Sequence, residues 1–414
     1  MRLSGTTRED AQVRSPWRKR GQLLRSYLAG RPVWCAWQVT YRCNFRCHFC
    51  QYWRGAAGAT EELTLGEFAQ GARNLAQGGA IIISLGGGEP LLRPDIVDIV
   101  HELARYHFVL LTTNGWLVTP ALARRLYGAG LWGASVSLDY ADPVRHDRQR
   151  GRVGAFARAL AALRTFLEAR TEPCQRVNLL ATLVADNLGE MEDLATLALK
   201  EGANFMVQPY SPLKTGREEF LPRPAVSRRL LALHHRYPNF LSHRRFLARF
   251  DAAVNGGVPG CRAGRSFFNI DERGQVALCV ERRAQVLGDL VRDDLSTLGD
   301  RLRRAGRGNG CQACWYNCRG EVEALYEVRG FLDALSTYLL GPRAEMALRE
   351  AVGGNGCSFK PSPWPSPPGG GEGRGSPLGG RGEASVRPSP TGALSAEADT
   401  CATDGQAGAS GLRQ

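Results

Sequence analysis

The run Cys43-Asn44-Phe45-Arg46-Cys47-His48-Phe49-Cys50 decides how this chain is read. Its three cysteines stand at C-x3-C-x2-C spacing, with no fourth cysteine inside the loop. A structural zinc site takes four protein ligands, and a [4Fe–4S] cube has four corners, each usually held by a cysteine. Three local thiolates on a cube leave one iron open to a substrate or cofactor, which a fully ligated electron carrier does not offer. Zinc completed by His48 or by a remote cysteine is the competing reading of the same residues.

The apolar stretch before the run, 33–40, reads as a strand that feeds the cysteine loop. From there to about Tyr210 the chain alternates short apolar runs with amphipathic stretches. Strands are expected over 80–85, 108–113, 133–138, 176–184 and 204–208, and helices over 65–76, 94–106, 120–128, 153–169 and 191–201. Repeated β/α units imply an α/β fold with a parallel sheet and helical crossovers. Six strands make an open, partial (β/α)6 barrel of TIM-like form rather than a closed eight-stranded one. Gln208 and Tyr210, at the end of the last strand, are candidates to face a substrate.

The cysteine run resembles the cluster loop of the radical S-adenosylmethionine (SAM) superfamily, C-x3-C-x-Φ-C, with Phe49 at the aromatic position Φ. The resemblance implies the partial barrel that the element pattern also gives. It implies a [4Fe–4S] cluster on Cys43, Cys47 and Cys50, with SAM chelating the open iron. One electron then cleaves the sulfur–C5′ bond, and the 5′-deoxyadenosyl radical takes a hydrogen atom from a peptide or small-molecule substrate. The protein supplies ligation, orientation and a dry pocket. An electron donor such as a flavodoxin or ferredoxin is implied as a partner.

The same resemblance assigns cofactor contacts. Phe49 brings backbone to the adenine. Gly86-Gly87-Gly88-Glu89-Pro90 corresponds to the family's GGEP element, one β/α unit after the cysteines. Glycines there let backbone come close to a ligand, and Glu89 offers an acceptor to the SAM ammonium. Asn114 closes the third strand. Ser137 and Asp139 share a face of the fourth by two-residue alternation, which directs both to a ribose hydroxyl. The loop His146–Gly151 follows, and its Arg150 is a candidate to neutralise the SAM carboxylate. For Asn114-Gly115 and Asp139, turn chemistry alone is the competing explanation.

Five more cysteines lie downstream: Cys261, Cys279, Cys311, Cys314 and Cys318. A β-hairpin is expected over 266–280, turning at Asp271-Glu272-Arg273-Gly274, so that Gly274 and Cys279 make a G-x4-C spacing. Cys311 and Cys314 form a C-x2-C pair. This resembles the auxiliary-cluster extensions called SPASM and twitch. The long SPASM run of cysteines is incomplete here. The shorter twitch form implies a second [4Fe–4S] cluster on Cys261, Cys279, Cys311 and Cys314, with Cys318 an alternative ligand or a bystander. A zinc ribbon uses the same residue type.

The expected organisation is a basic N-terminal arm (1–31), the barrel core (32–224), a helical connection (225–255), the cysteine module (256–340) and a Gly/Pro-rich tail (354–414) whose composition implies disorder. Twelve cysteines in a chain without an apolar leader point to metal binding in a reducing, cytoplasmic setting rather than to disulfides. No apolar run approaches the roughly 18 residues that span a bilayer. The net charge of +13 raises nucleic acid as a partner, but only four of the 53 basic residues are lysine, a bias read as a solvated arginine-rich surface. A zinc protein binding nucleic acid, and an iron–sulfur carrier without SAM cleavage, are the rival functions.

Overall fold

Six apolar runs become six parallel strands. They are Trp34–Thr40 (β1), Ile82–Gly87 (β2), Phe108–Thr113 (β3), Leu131–Ser137 (β4), Arg176–Leu183 (β5) and Asn204–Pro209 (β6). Each pairs in parallel with its neighbour in sequence. Parallel neighbours need a long return path, which the helices Leu65–Gln77, Ile96–Ala104, Pro120–Gly128, Ala155–Ala169 and Met191–Glu201 provide. In this computed structural model the described residues are 15–55, 61–172, 174–223 and 225–327. Residues 1–14 of the expected arm, 328–340 of the expected cysteine module, and the expected tail with Cys357 and Cys401 lie outside them.

The first crossover shows why sequence and element agree. Thr64 and Glu67 cap each other's backbone at the start of Leu65–Gln77. Phe68, Ala72 and Leu75 then recur on one face and are buried. That face meets Trp37 of β1, fully buried, with ring centroids of Trp37 and Phe68 5.1 Å apart. Close packing leaves no slack here: a Cβ on Gly71 would stand 2.9 Å from the Trp37 ring.

Two features differ from expectation. The helix expected over 153–169 starts at Ala155, and a separate helix, Pro143–Arg150, precedes it. Its polar sequence reads as a loop, yet Asp142 caps its start and Gly151 ends it in the left-handed region at φ 66°. Second, the sheet does not stop at six strands. Phe267–Ile270 (β7) pairs in parallel with β1, and Gln275–Ala277 (β8) and Gly288–Asp289 (β9) follow antiparallel. The strand order is β6-β5-β4-β3-β2-β1-β7-β8-β9. The expected hairpin therefore forms, but as an extension of the core sheet. Among the described residues no helix is long and apolar enough to cross a membrane.

The parallel strands share one carboxyl rim, where folds of this kind place their ligands. Replacing Trp37 with Ala removes the aromatic plug between β1 and its crossover helix. The expected loss is about 3–5 kcal/mol of stability, read as a lowered denaturant midpoint with an unchanged slope.

Candidate active site

The cysteine loop is rooted by backbone. The Gly88 and Glu89 amides donate to the Thr40 and Arg42 carbonyls, each at 2.8 Å. A Cβ on Gly88 would lie 2.1 Å from the Arg42 oxygen. The approach of β2's end to β1's end thus requires a glycine at 88, a constraint beside the expected closeness to a ligand. On its other side the loop meets the helix Pro143–Arg150: the His48 amide donates to the Gln149 carbonyl at 3.0 Å, and a Cβ on Gly151 would lie 2.7 Å from the Arg46 oxygen. Phe45 is buried edge-on against Trp116, and Arg152 stacks on that indole at 3.8 Å while donating to the Asn44 carbonyl.

These contacts gather Cys43, Cys47, Cys50, Phe49, Gly87, Gly88, Glu89, Asn114, Ser137 and Arg150 around one cavity of about 200 Å³. Asp139 is the expected contact that does not line it. Its carboxylate is fully buried, accepts from the Thr182 amide at 2.8 Å and pairs with Arg150 at 2.7 Å. Asp139 therefore fixes Arg150 instead of sharing Ser137's exposure, because β4 has ended at Ser137 and strict alternation no longer applies. Glu89 lines the cavity but is also a brace: it accepts from Thr113 Oγ1 (2.7 Å), the Asn114 amide (2.8 Å) and the Leu91 amide (3.1 Å). Asn114 Nδ2 in turn donates to Asn44 Oδ1 in the cysteine loop. Tyr210 is buried, its hydroxyl donating to the Arg217 carbonyl at 2.9 Å.

Burial works against anionic sulfur here, and Arg150 works for it. Burial pushes the Cys43 thiol up to about 11 and that of Cys47 to about 12, and Arg150 opposes the rise at both. A buried thiolate persists only beside positive charge. Arg150, buried and 5.3 Å from the Phe49 ring centroid, supplies one unit; the irons of a cluster would supply the rest. Among the described residues no three His, Cys, Asp or Glu side chains converge tightly enough for a single metal ion. A four-iron cube spreads its ligands more widely, and its fit rests on the three thiols sharing a cavity with soft donors and glycine-lined walls.

A second cavity of about 260 Å³ lies among the inward-facing side chains of β1–β6, including Ala36, Ser84, Leu110, Ser135, Asn178 and Met206. Cys318 borders it. Downstream, burial raises the thiols of Cys261, Cys279, Cys314 and Cys318, that of Cys314 to about 12. Cys279 and Cys261 raise Cys314 further, and Cys314, Cys279 and Cys261 raise Cys318, so these four stand within electrostatic reach of one another. Cys311 packs partly buried against the main core. Tyr52, Thr112, Lys214 and Tyr316, which line both cavities, were not singled out from sequence. A signal existed for two of them: Tyr52 and Tyr316 each follow a cysteine by two positions.

The radical SAM superfamily profile matches residues 37–198. An AdoMet-dependent heme synthase of Methanosarcina barkeri is 37% identical over 181 residues, 42% of this chain and 50% of that protein, so the chain spans half of that relative's length. The mycofactocin maturase MftC of Mycobacterium ulcerans is 27% identical over 308 residues, 70% of this chain and 82% of that protein. Among solved structures, Streptococcus suis SuiB bound to precursor peptide SuiA has a TM-score of 0.55 at 16% identity, covering 75% of this chain and 76% of its own. The structure of anSMEcpe with bound AdoMet has a TM-score of 0.55 at 15% identity, covering 76% and 98%. Residues 37–198, the core of the chain, make a radical SAM domain. The domain is that of an enzyme family whose cofactors are SAM and a [4Fe–4S] cluster.

Gly88→Ala forces β2's end away from the root of the cysteine loop. The expected outcome is loss of the core cluster's share of bound iron with the auxiliary share retained, measured as iron per chain after anaerobic reconstitution.

Proposed function

We propose that Cys43, Cys47 and Cys50 hold the SAM-binding cluster, and that the enzyme acts on a peptide placed in the barrel cavity. The observation that carries this reading is that the three-cysteine cavity and the barrel cavity share five lining residues, each with a polar group. When bound, the cluster and SAM supply one-electron cleavage of SAM and abstraction of a hydrogen atom. The chain's own residues do the rest. Arg150, held by Asp139, offers positive charge to the cysteines and to the cofactor's carboxylate. Ser137, Asn114 and the backbone of Gly87 and Gly88 line the cofactor's wall, with Phe49 beside the cluster cysteines. Packed strands and aromatic side chains exclude water from the radical.

The peptide reading draws on how far each relative extends. Similarity to the maturase covers 308 residues and 82% of that protein, against 279 residues and 72% for the AdoMet-dependent heme synthase of Nitratidesulfovibrio vulgaris, and the fold is shared with SuiB, a structure bound to a precursor peptide. A small-molecule substrate is the second reading, favoured by the higher identity of the heme synthase. The electron comes from a flavodoxin or ferredoxin, and the setting is the reducing cytoplasm. Ten unpaired cysteines among the described residues support that setting.

The auxiliary cluster has five candidate cysteines for four corners. Cys261, Cys279 and Cys314 stand within electrostatic reach of Cys318, and we propose Cys318 as the fourth ligand, with Cys311 as the alternative. On this reading Cys318→Ala lowers auxiliary iron and alters its electron paramagnetic signal, while Cys311→Ala changes neither; the reverse result restores the original set. For the core, reconstituted protein given dithionite and SAM should release 5′-deoxyadenosine. Cys47→Ala should abolish that product while auxiliary iron remains. A cluster-replete protein that releases none is an electron carrier, and a colourless zinc-loaded one is neither.

A further inference from the structure

The boundary shared by the two cavities, here called the passage, carries a polar group on each of its residues. Five residues border both cavities: Tyr52 after the cysteine loop, Thr112 on β3, Gln208 on β6, Lys214 in the turn after β6, and Tyr316 after Cys314. The Tyr52 hydroxyl is buried, on a residue only 9% exposed, and has no hydrogen-bond partner among the described residues. Thr112, Gln208 and Lys214 line the same boundary. Lys214 is held by aromatic faces, 3.7 Å from the Tyr52 ring centroid and 5.4 Å from that of Tyr316. Its nearest carboxylate, Glu281 Oε1, stands at 3.8 Å, a distance that balances charge without a hydrogen bond.

Buried polar groups in native proteins have partners, and an unsatisfied one marks a place where a ligand or catalysis uses it. The charge balance says which ligand. Lys214 pairs with Glu281, and Arg283, 5.7 Å from the Tyr52 ring centroid, has the Glu272 carboxylate beside it, so a second full charge in the passage would compete with pairs already made. Gln208 presents a donor and an acceptor together, Thr112 and Tyr52 can do either, and Lys214 donates. That set matches a neutral group that carries both a carbonyl and an N–H. We infer that this passage binds a backbone amide of the substrate peptide, with its carbonyl on Lys214 or Gln208 and its N–H on Gln208 or Thr112, so that the residue to be modified sits at the mouth of the cofactor cavity. The inference rests on the peptide reading and adds the group by which the peptide is gripped. Gln208 and Lys214 are then substrate-positioning residues. Tyr52 and Lys214 also tie the grip to both cysteine sets, because Tyr52 follows Cys50 by two residues and Glu281 follows Cys279 by two.

The test uses the reconstituted full chain with dithionite and SAM. The probe is a pool of synthetic N-acetylated octapeptides presenting each of the twenty amino acids at the centre. A matched pool carries an ester in place of the central amide. Stimulated release of 5′-deoxyadenosine and the mass change of the peptides are both read. The amide pool should outperform the ester pool by about tenfold in kcat/KM, the scale of one hydrogen bond to a charged or buried partner. Gln208→Leu should erase that difference, making the two pools equal. Lys214→Met should raise KM for the amide pool, and Lys214→Arg should restore it, each with wild-type iron per chain. A merely structural role would lower activity on both pools alike and keep their ratio. If the amide pool stimulates and the ester pool does so equally, or if Gln208→Leu keeps the preference, the amide grip is overturned while the peptide reading stands. If neither pool stimulates or changes mass, the peptide reading falls and the grip falls with it.

Discussion

Two backbone hydrogen bonds of 2.8 Å, from Gly88 and Glu89 to Thr40 and Arg42, set the position of everything chemical in this protein. They form because no side chain separates the ends of β1 and β2. The cysteine loop departs from β1 at that point, so its root is fixed by main chain rather than by side-chain packing. Glu89 extends the constraint sideways, since its carboxylate takes a hydroxyl and an amide from the end of β3. Asn114 then returns a hydrogen bond to the loop through Asn44. Three strand ends and one loop are thereby locked into a single unit before any cofactor contact is considered. Such a supporting shell is what holds a reactive centre to useful precision.

Electrostatics is built on the same frame. Burial alone disfavours thiolate at Cys43 and Cys47. The buried Asp139–Arg150 pair places a cation against them at the cost of desolvating two charges. Its geometry follows from the helix Pro143–Arg150, whose end is stopped by Gly151 against the loop. The cation therefore arrives at the cysteines through a helix cap. Replacing it by a mobile surface arginine would leave the same formal charge and a different site.

The downstream cysteines reach this centre through sheet pairing. Parallel pairing of β7 with β1 makes the cysteine-bearing hairpin a neighbour of the strand that launches the first cysteine loop. Tyr316 and Cys318 consequently border the barrel cavity, and Lys214 contacts rings that follow both cysteine sets. The barrel cavity thus has Cys318 at its border and shares Tyr52, two residues after Cys50, with the three-cysteine cavity.

Much of this was written in the primary sequence. Cysteine spacing, the glycine run and the β/α alternation are local patterns, and local patterns survive without tertiary context. They gave the parallel strands within two or three residues and brought most of the proposed cofactor contacts into one cavity. What they could not give was the direction of side chains once a strand has ended, which is why Asp139 turns to Arg150 and away from Ser137. Nor could they show that the cysteine module continues the core sheet, that Cys318 stands within electrostatic reach of Cys261, Cys279 and Cys314, or that Tyr52, Thr112, Gln208, Lys214 and Tyr316 border both cavities. Those relations join residues from distant parts of the chain, and only the closing of the sheet brings such residues together. Sequence by itself determined which chemistry the chain carries. The tertiary structure decided where that chemistry faces, because burial, charge pairing and cavity walls exist only after the strands have packed.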